Sequence, residues 1–273
     1  MTGKKQKNKN EFQVLYNDLS KVTKYIISLE DRELFASAFK GSVIEIRQSL
    51  KMIKILKNRT TVEKKHEMME AYEEGLRKDL IQRASRLIKL IEDLILPVTS
   101  IQNYIYYTKM QADLWRYRAE ASNSSKREVS LVQDPNDPEY TEEINTNRKQ
   151  EAIGNAEYLY KKARALDRYR INEIISEYAQ LAKEENENIT KRPLIDETRL
   201  GLSLNYAVFL YEVKNHKKKA LRILKTEIND ALDEYDKWDP EGEKQIKHQI
   251  ELIQENINLW KENNVDTDSE EEN

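Results

Sequence analysis

The sequence predicts an all-α protein, an antiparallel bundle or array of helices in which no strand is needed. Three observations carry that expectation. With only 6 Gly and 5 Pro in 273 residues, the chain is poor in turn-formers. Charged residues make up 35%, and Glu, Lys, Leu, Ile and Gln, which suit long helices, are prominent. Apolar residues also recur at helical spacing: Phe39, Val43, Ile46, Leu50 and Ile53 step by four, three, four and three, a buried stripe on an amphipathic helix.

Taken in order, residues 1–9 with Lys4, Lys5, Lys7 and Lys9 read as a basic disordered arm. Helices are predicted at roughly 10–29, 31–57, 61–95 and 98–121, punctuated by Pro97 because proline is poorly tolerated inside a helix. Between Ala121 and Tyr140 the composition turns to SNSS and DPNDP, which is loop chemistry. The stretch 142–186 reads either as one extended helix or as two broken near Gly154. Further helices follow at about 196–213, 217–237 and 242–262, and an acidic disordered tail at 263–273. A helical domain is thus expected over 10–262, without a fixed internal repeat.

The chain has no cysteine, which excludes disulfide frameworks, thiolate metal sites and cysteine nucleophiles. His66, His216 and His248 lack metal-ligand spacing, and each is expected on a charged, exposed helical face. Gly41, Gly75, Gly154 and Gly201 stand alone, so no phosphate-cradling glycine loop is present. No apolar run approaches the roughly 18 residues of a membrane span, and no apolar signal core follows Met1. With 46 basic and 49 acidic side chains, net charge is −3, giving no global drive toward nucleic acid. The expectation is a cytoplasmic, or also nuclear, non-catalytic protein with no metal and no cofactor, acting on neither membranes nor nucleic acid.

Four helix faces carry binding chemistry. Lys40 and Arg47 are seven residues apart, two turns along one face, and Lys109 and Arg116 repeat the spacing. Asn205, Val208 and Glu212 share a face, as do Leu252, Asn256 and Trp260. If these faces line one groove, the basic pairs take a dianion while the asparagines bond an extended peptide main chain. Arginine suits phosphate through its planar fork, and the Tyr117 hydroxyl adds a donor. Pair by pair, a solvated basic face is the commoner meaning of this spacing.

Whole segments around these residues resemble the 14-3-3 family. They are DRELFASAFK at 31–40 leading to Arg47, YTKMQADLWRYRAE at 107–120, RLGLSLNYAVFLYE at 199–212, and NINLW at 256–260. Order and approximate spacing match from about residue 31 to 262, apart from one insertion within 121–195. The resemblance implies about nine antiparallel helices forming a concave amphipathic groove for phosphoserine or phosphothreonine peptides. It implies phosphate binding by Arg47, Arg116 and Tyr117 with Lys40, and peptide binding by Lys109, Leu204, Asn205, Val208, Glu212, Leu252, Asn256 and Trp260. Glu120, four residues past Arg116, is placed to orient that guanidinium.

The match departs in places. After Lys40 the family usually has Val-Val-Gly-Ala-Arg-Arg and then Trp-Arg, where this chain has SVIEIR at 42–47 and then Leu50 and Lys51. Glu45 weakens the local positive field. Fewer residues precede Asp31 than the family's first two helices need, and Gly75 replaces a basic interface residue, whereas Tyr72, another interface position, is retained. A homodimer or heterodimer and a monomer both stay open. The implied function is an adaptor for phosphorylated client proteins; the alternative is a degenerate helical scaffold whose groove is blocked or no longer phosphate-dependent. The acidic tail, with Thr267 and Ser269, is long enough at about 3.3 Å per residue to bind back into such a groove.

Overall fold

The computed structural model describes residues 28–122, 138–183, 194–234 and 238–268, without the side chains of Leu29, Lys40, Val98, 138–147, 177–183 and 263–268. Among the described residues there are seven α-helices and no strand, as an all-α protein requires. The helix expected at 10–29 lies outside them but for its last two positions. The described chain forms two compact units, within Asn17–Lys161 and Lys162–Asn273.

In the first unit, α1 (Leu29–Arg59) begins where Ser28 and Asp31 cap each other. The Ser28 hydroxyl accepts the Asp31 N–H at 3.0 Å, and the Ser28 N–H donates to the Asp31 carboxylate at 3.3 Å. Glu30 and Asp31 in the first turn and Lys57 and Arg59 in the last complement the helix dipole. α2 (Glu63–Leu90) continues through a π turn, Ile91–Ile95, and a 3₁₀ turn, Leu96–Val98, that contains Pro97. α3 (Ile101–Ala121) ends at the predicted residue.

The expected stripe on α1 is the buried one. Phe39, Val43, Ile46 and Ile53 are buried and Leu50 is half-buried. Phe39, Val43 and Ile46 share a core with Leu80 and Ile88 from α2, Ile91 from its π turn, and Tyr107 and Leu114 from α3. Each large apolar side chain so buried contributes about 1.5–3 kcal/mol. α3 is buried on nearly every side, so its polar residues depend on partners inside the protein, which the buried Thr108 hydroxyl lacks among the described residues. Gln111 donates to the Ile88 carbonyl at 3.3 Å, and Asp113 and Arg116 bond within a network described below.

α4 (Pro138–Lys183) is a single helix through Gly154, which settles the choice between one helix and two. The boundary between the units falls within it. Gly154 is exposed, and a Cβ there would meet no atom within 4 Å. Gly154→Ala is therefore expected to stabilise the protein by about 0.5–1 kcal/mol, read as a raised melting temperature, because alanine gives up less backbone freedom in a helix.

In the second unit, Asp196 caps α5 (Glu197–Val208), accepting the Arg199 N–H at 2.8 Å. A π turn, Phe209–Val213, extends α5, and Asn215 takes the left-handed conformation (φ 53°) before α6 (Lys217–Leu232). α7 (Pro240–Asp268) opens with proline, whose missing N–H costs nothing at that position, and Asp239 accepts the Gly242 N–H at 2.7 Å. α7 runs past the residue 262 read from the sequence. Two buried carboxylates tie this unit together. Glu234 accepts the N–H groups of Leu194 and Ile195 at 2.7 and 2.9 Å, and Glu227 accepts from Arg199 Nε at 2.8 Å and Arg164 Nη2 at 3.5 Å.

Candidate functional site

The first unit brings Arg47 from α1 together with Arg116, Tyr117 and Glu120 from α3. Each oxygen of the Glu120 carboxylate accepts from one guanidinium: Arg47 Nη2 at 2.9 Å and Arg116 Nη1 at 3.0 Å. Both guanidinium carbons also lie over the Tyr117 ring, Arg47 at 3.9 Å and Arg116 at 4.8 Å from its centroid. Such cation–π contacts strengthen where the pair is shielded from water, and Tyr117 is buried. Glu120 therefore orients Arg116, as its spacing suggested, and holds Arg47 as well.

The two arginines differ in access. The Arg47 side chain is 22% exposed and that of Arg116 only 6%. Behind Arg116, its Nε donates to the Tyr160 hydroxyl at 3.3 Å, and that hydroxyl donates to Asp113 Oδ1 at 2.5 Å. Asp113 lies 3.7 Å from Arg116 Nη2 and 3.4 Å from Lys109 Nζ. Lys109, Asp113, Arg116, Glu120 and Arg47 thus form one chain of alternating charge, three cations against two carboxylates.

Burial works against the Arg116 charge, but Tyr160, Tyr117, Glu120 and Asp113 outweigh it and hold its pKa well above the ordinary value. Burial, reinforced by Asp113, raises the pKa of the Tyr117 hydroxyl against the pull of both arginines, so it remains a protonated donor at neutral pH. The Tyr160 hydroxyl is pushed well up by burial and then by Asp113, so it keeps the proton it donates. The site offers two guanidinium cations and the Tyr117 hydroxyl as donors. It can bind an anion.

Lys40 lies on α1 seven residues before Arg47, and its side chain lies outside the described residues. Lys109 faces Asp113 and approaches the Tyr106 ring at 5.9 Å. Asp113 and Tyr160 carry the network but were not among the residues expected from sequence. Asp113, three residues before Arg116 and four after Lys109, was findable from spacing; Tyr160, on α4, carried no such signal.

In the second unit, α5 carries Leu204, Asn205 and Val208, all half-buried, and its π turn carries Glu212, which is exposed. On α7, Asn256 Nδ2 donates to the Leu252 carbonyl at 2.7 Å, and Leu252 is half-buried. Trp260 is only 4% exposed and stacks on Tyr211, centroids 4.1 Å apart and planes 5° apart, while the Tyr211 hydroxyl donates to the Trp260 carbonyl at 3.3 Å. Its ring is engaged in packing. Residues 263–268 continue α7 with side chains outside the described residues, and 269–273 lie outside altogether, so the expected tail contact falls there.

His66 is half-buried rather than exposed; His216 and His248 are exposed, and no cluster among the described residues could hold a metal ion. No helix there is long and apolar enough to cross a membrane. Tyr72 is exposed on α2, and open space surrounds the position a Gly75 side chain would fill.

A family model described as 14-3-3 protein matches residues 6–136 and 138–261. The 14-3-3 protein beta/alpha of Rattus norvegicus and that of Mus musculus are each 26% identical to this chain over 257 residues, covering 91% of it and 87% of the relative. A crystal structure of a 14-3-3 protein from Cryptosporidium parvum aligns with a TM-score of 0.62 at 17% identity, covering 86% of this chain and 90% of that one. At that identity the structural likeness speaks for the fold.

Proposed function

The chain belongs to the 14-3-3 family, and from that premise we propose that it binds phosphoserine or phosphothreonine peptides through Arg47, Arg116 and Tyr117, with Lys40 beside them. Members of this family are non-catalytic adaptors that bind phosphorylated clients and dimerise, so no turnover is expected here. The observation that carries the phosphate assignment is the convergence of two guanidiniums on one tyrosine ring and one carboxylate.

Arg47 is the arm that reaches the ligand, because it is the more exposed of the pair. Arg116, buried behind it, supplies field and a fixed orientation for Glu120. A phosphate dianion competes with Glu120 for Arg47 and prevails when it adds bidentate, charge-assisted bonds to those the carboxylate gives. The Tyr117 hydroxyl donates a further bond. Asn205 and Asn256 are assigned to the peptide main chain, Lys109 and Glu212 to its polar groups, and Leu204, Val208, Leu252 and Trp260 to its apolar side chains.

A matched pair of peptides, with and without phosphate, titrated by fluorescence anisotropy tests this. The phosphorylated peptide is expected to bind at least about tenfold tighter, since a charge-assisted bond contributes about 1.5–3 kcal/mol. Equal affinities would leave the helical scaffold whose groove no longer depends on phosphate. The internal pairing of both arginines with Glu120 is the observation that favours that second reading.

A further inference from the structure

Arg47 also lines a cavity of about 200 Å³ in the first unit, where it is joined by Lys51 and Lys54 of α1 and Arg77 of α2. Two carboxylates line it too, and both are engaged. Glu73 is held by Lys57 at 3.0 Å and by Arg77, and Glu120 by Arg47 and Arg116. The carbonyls at the C-terminal end of α3, which would repel an anion, are capped as well: Arg77 Nη1 donates to those of Glu120 and Ala121 at 3.3 and 3.1 Å. Leu50 and Leu80 supply apolar wall, which lowers the local dielectric.

Lys51 and Lys54 are different. Both are exposed and make no ion pair or hydrogen bond among the described residues. The positions three and four away from each on α1 hold Arg47, Gln48, Leu50, Ile55, Lys57 and Asn58, and no carboxylate. Arg47, Lys51 and Lys54 therefore form a row of like charges, at spacings where such charges repel, facing a cavity whose acids are already neutralised.

We propose that this cavity is a second phosphate subsite, held by Lys51 and Lys54, for the second phosphoryl group of a doubly phosphorylated peptide. The inference rests on the phosphate reading of Arg47, Arg116 and Tyr117. Lys51 and Lys54 lie about 6–10 Å along α1 from Arg47 at 1.5 Å per residue. An extended peptide covers that distance in two or three residues, and only a two-residue step returns a side chain to the same face. The preferred ligand carries phosphoserine-x-phosphoserine or its threonine equivalents.

Anisotropy titrations of the full chain test this with peptides bearing no phosphate, one phosphate, two phosphates two residues apart on either side, and two phosphates six residues apart. A further peptide replaces the second phosphoserine with Glu. The second phosphate at two-residue spacing is expected to tighten binding at least about fivefold, the six-residue spacing and the Glu peptide by far less. The double variant Lys51→Gln/Lys54→Gln is expected to lose that gain while binding the singly phosphorylated peptide as wild type does. No gain from the second phosphate, a gain kept by the double variant, or an equal gain from Glu would each overturn the subsite. The comparison of one phosphate with none reads the Arg47 site by itself, so failure there is distinguishable from failure of the subsite.

Discussion

Arg116→Ala is expected to lower the free energy of unfolding by about 3–5 kcal/mol, the range found when one partner of a buried ion pair is removed. Arg116 is 5% exposed, and its guanidinium is the cation shared by Asp113, Glu120 and the Tyr160 hydroxyl. Without it, buried Asp113 loses the Arg116 guanidinium, with Lys109 remaining at 3.4 Å, and a void opens in the middle of α3's packing. Arg47→Ala is expected to cost no more than about 1 kcal/mol, because that arginine is partly solvated and its pairing with Glu120 is screened. Thermal melting of the two variants distinguishes them, and equal, small shifts would contradict the buried role of Arg116. The contrast also decides which variant probes binding cleanly. Loss of peptide binding in Arg116→Ala mixes lost contact with lost fold, whereas in Arg47→Ala it reports contact.

Glu227→Ala is expected to cost a similar 3–5 kcal/mol or so, confined to the second unit. Glu227 is 5% exposed and is the carboxylate facing both Arg164, which also donates to the Ser203 hydroxyl at 3.1 Å, and Arg199. Burial lowers the pKa of the Arg164 guanidinium, with Glu227 the largest opposing influence. Removing that carboxylate leaves two neighbouring cations, with Asp167 and Asp230, the latter at 3.6 Å, still acting on Arg199. Hydrogen exchange is the apt measurement, since it assigns the loss to particular helices: protection in α5 and α6 is expected to fall by about a hundredfold or more, while α1–α3 change little. Unaltered exchange in α5 and α6 would mean that the ion cluster contributes nothing to holding them.

Much of the fold was legible because helical sequences announce themselves through periodicity. The step of four, three, four and three from Phe39 to Ile53 marked the buried face of α1, and Pro97 and Pro240 marked helix boundaries. Gly154 was ambiguous because a glycine in a helix is a cost that tertiary context can absorb; the chain simply continues through it. The candidate site was legible in part. Spacing placed Lys109 and Arg116 on one face and Glu120 within reach of Arg116, but a helical wheel cannot say which face is solvated. α3 is buried on nearly all sides, so the rule that a basic face is a solvated face fails there, and Arg116 becomes a bonded interior cation. Tyr160 was invisible for another reason: its contact with Arg116 spans 44 residues and depends on α4 packing beside α3. The stack of Trp260 on Tyr211 was likewise outside what spacing along one helix can show, because it joins α7 to the π turn after α5, 49 residues away.

The most direct test of the account is a double-mutant cycle between Arg47 and the peptide phosphate. Affinities are measured for the phosphorylated and unphosphorylated peptides on wild type and on Arg47→Ala, four titrations under one salt condition. A coupling energy of at least about 1.5 kcal/mol is expected, with the unphosphorylated peptide insensitive to the substitution. A coupling near zero, with phosphate still favoured on Arg47→Ala or favoured on neither protein, would contradict the assignment of Arg47 as the arm that takes the phosphate.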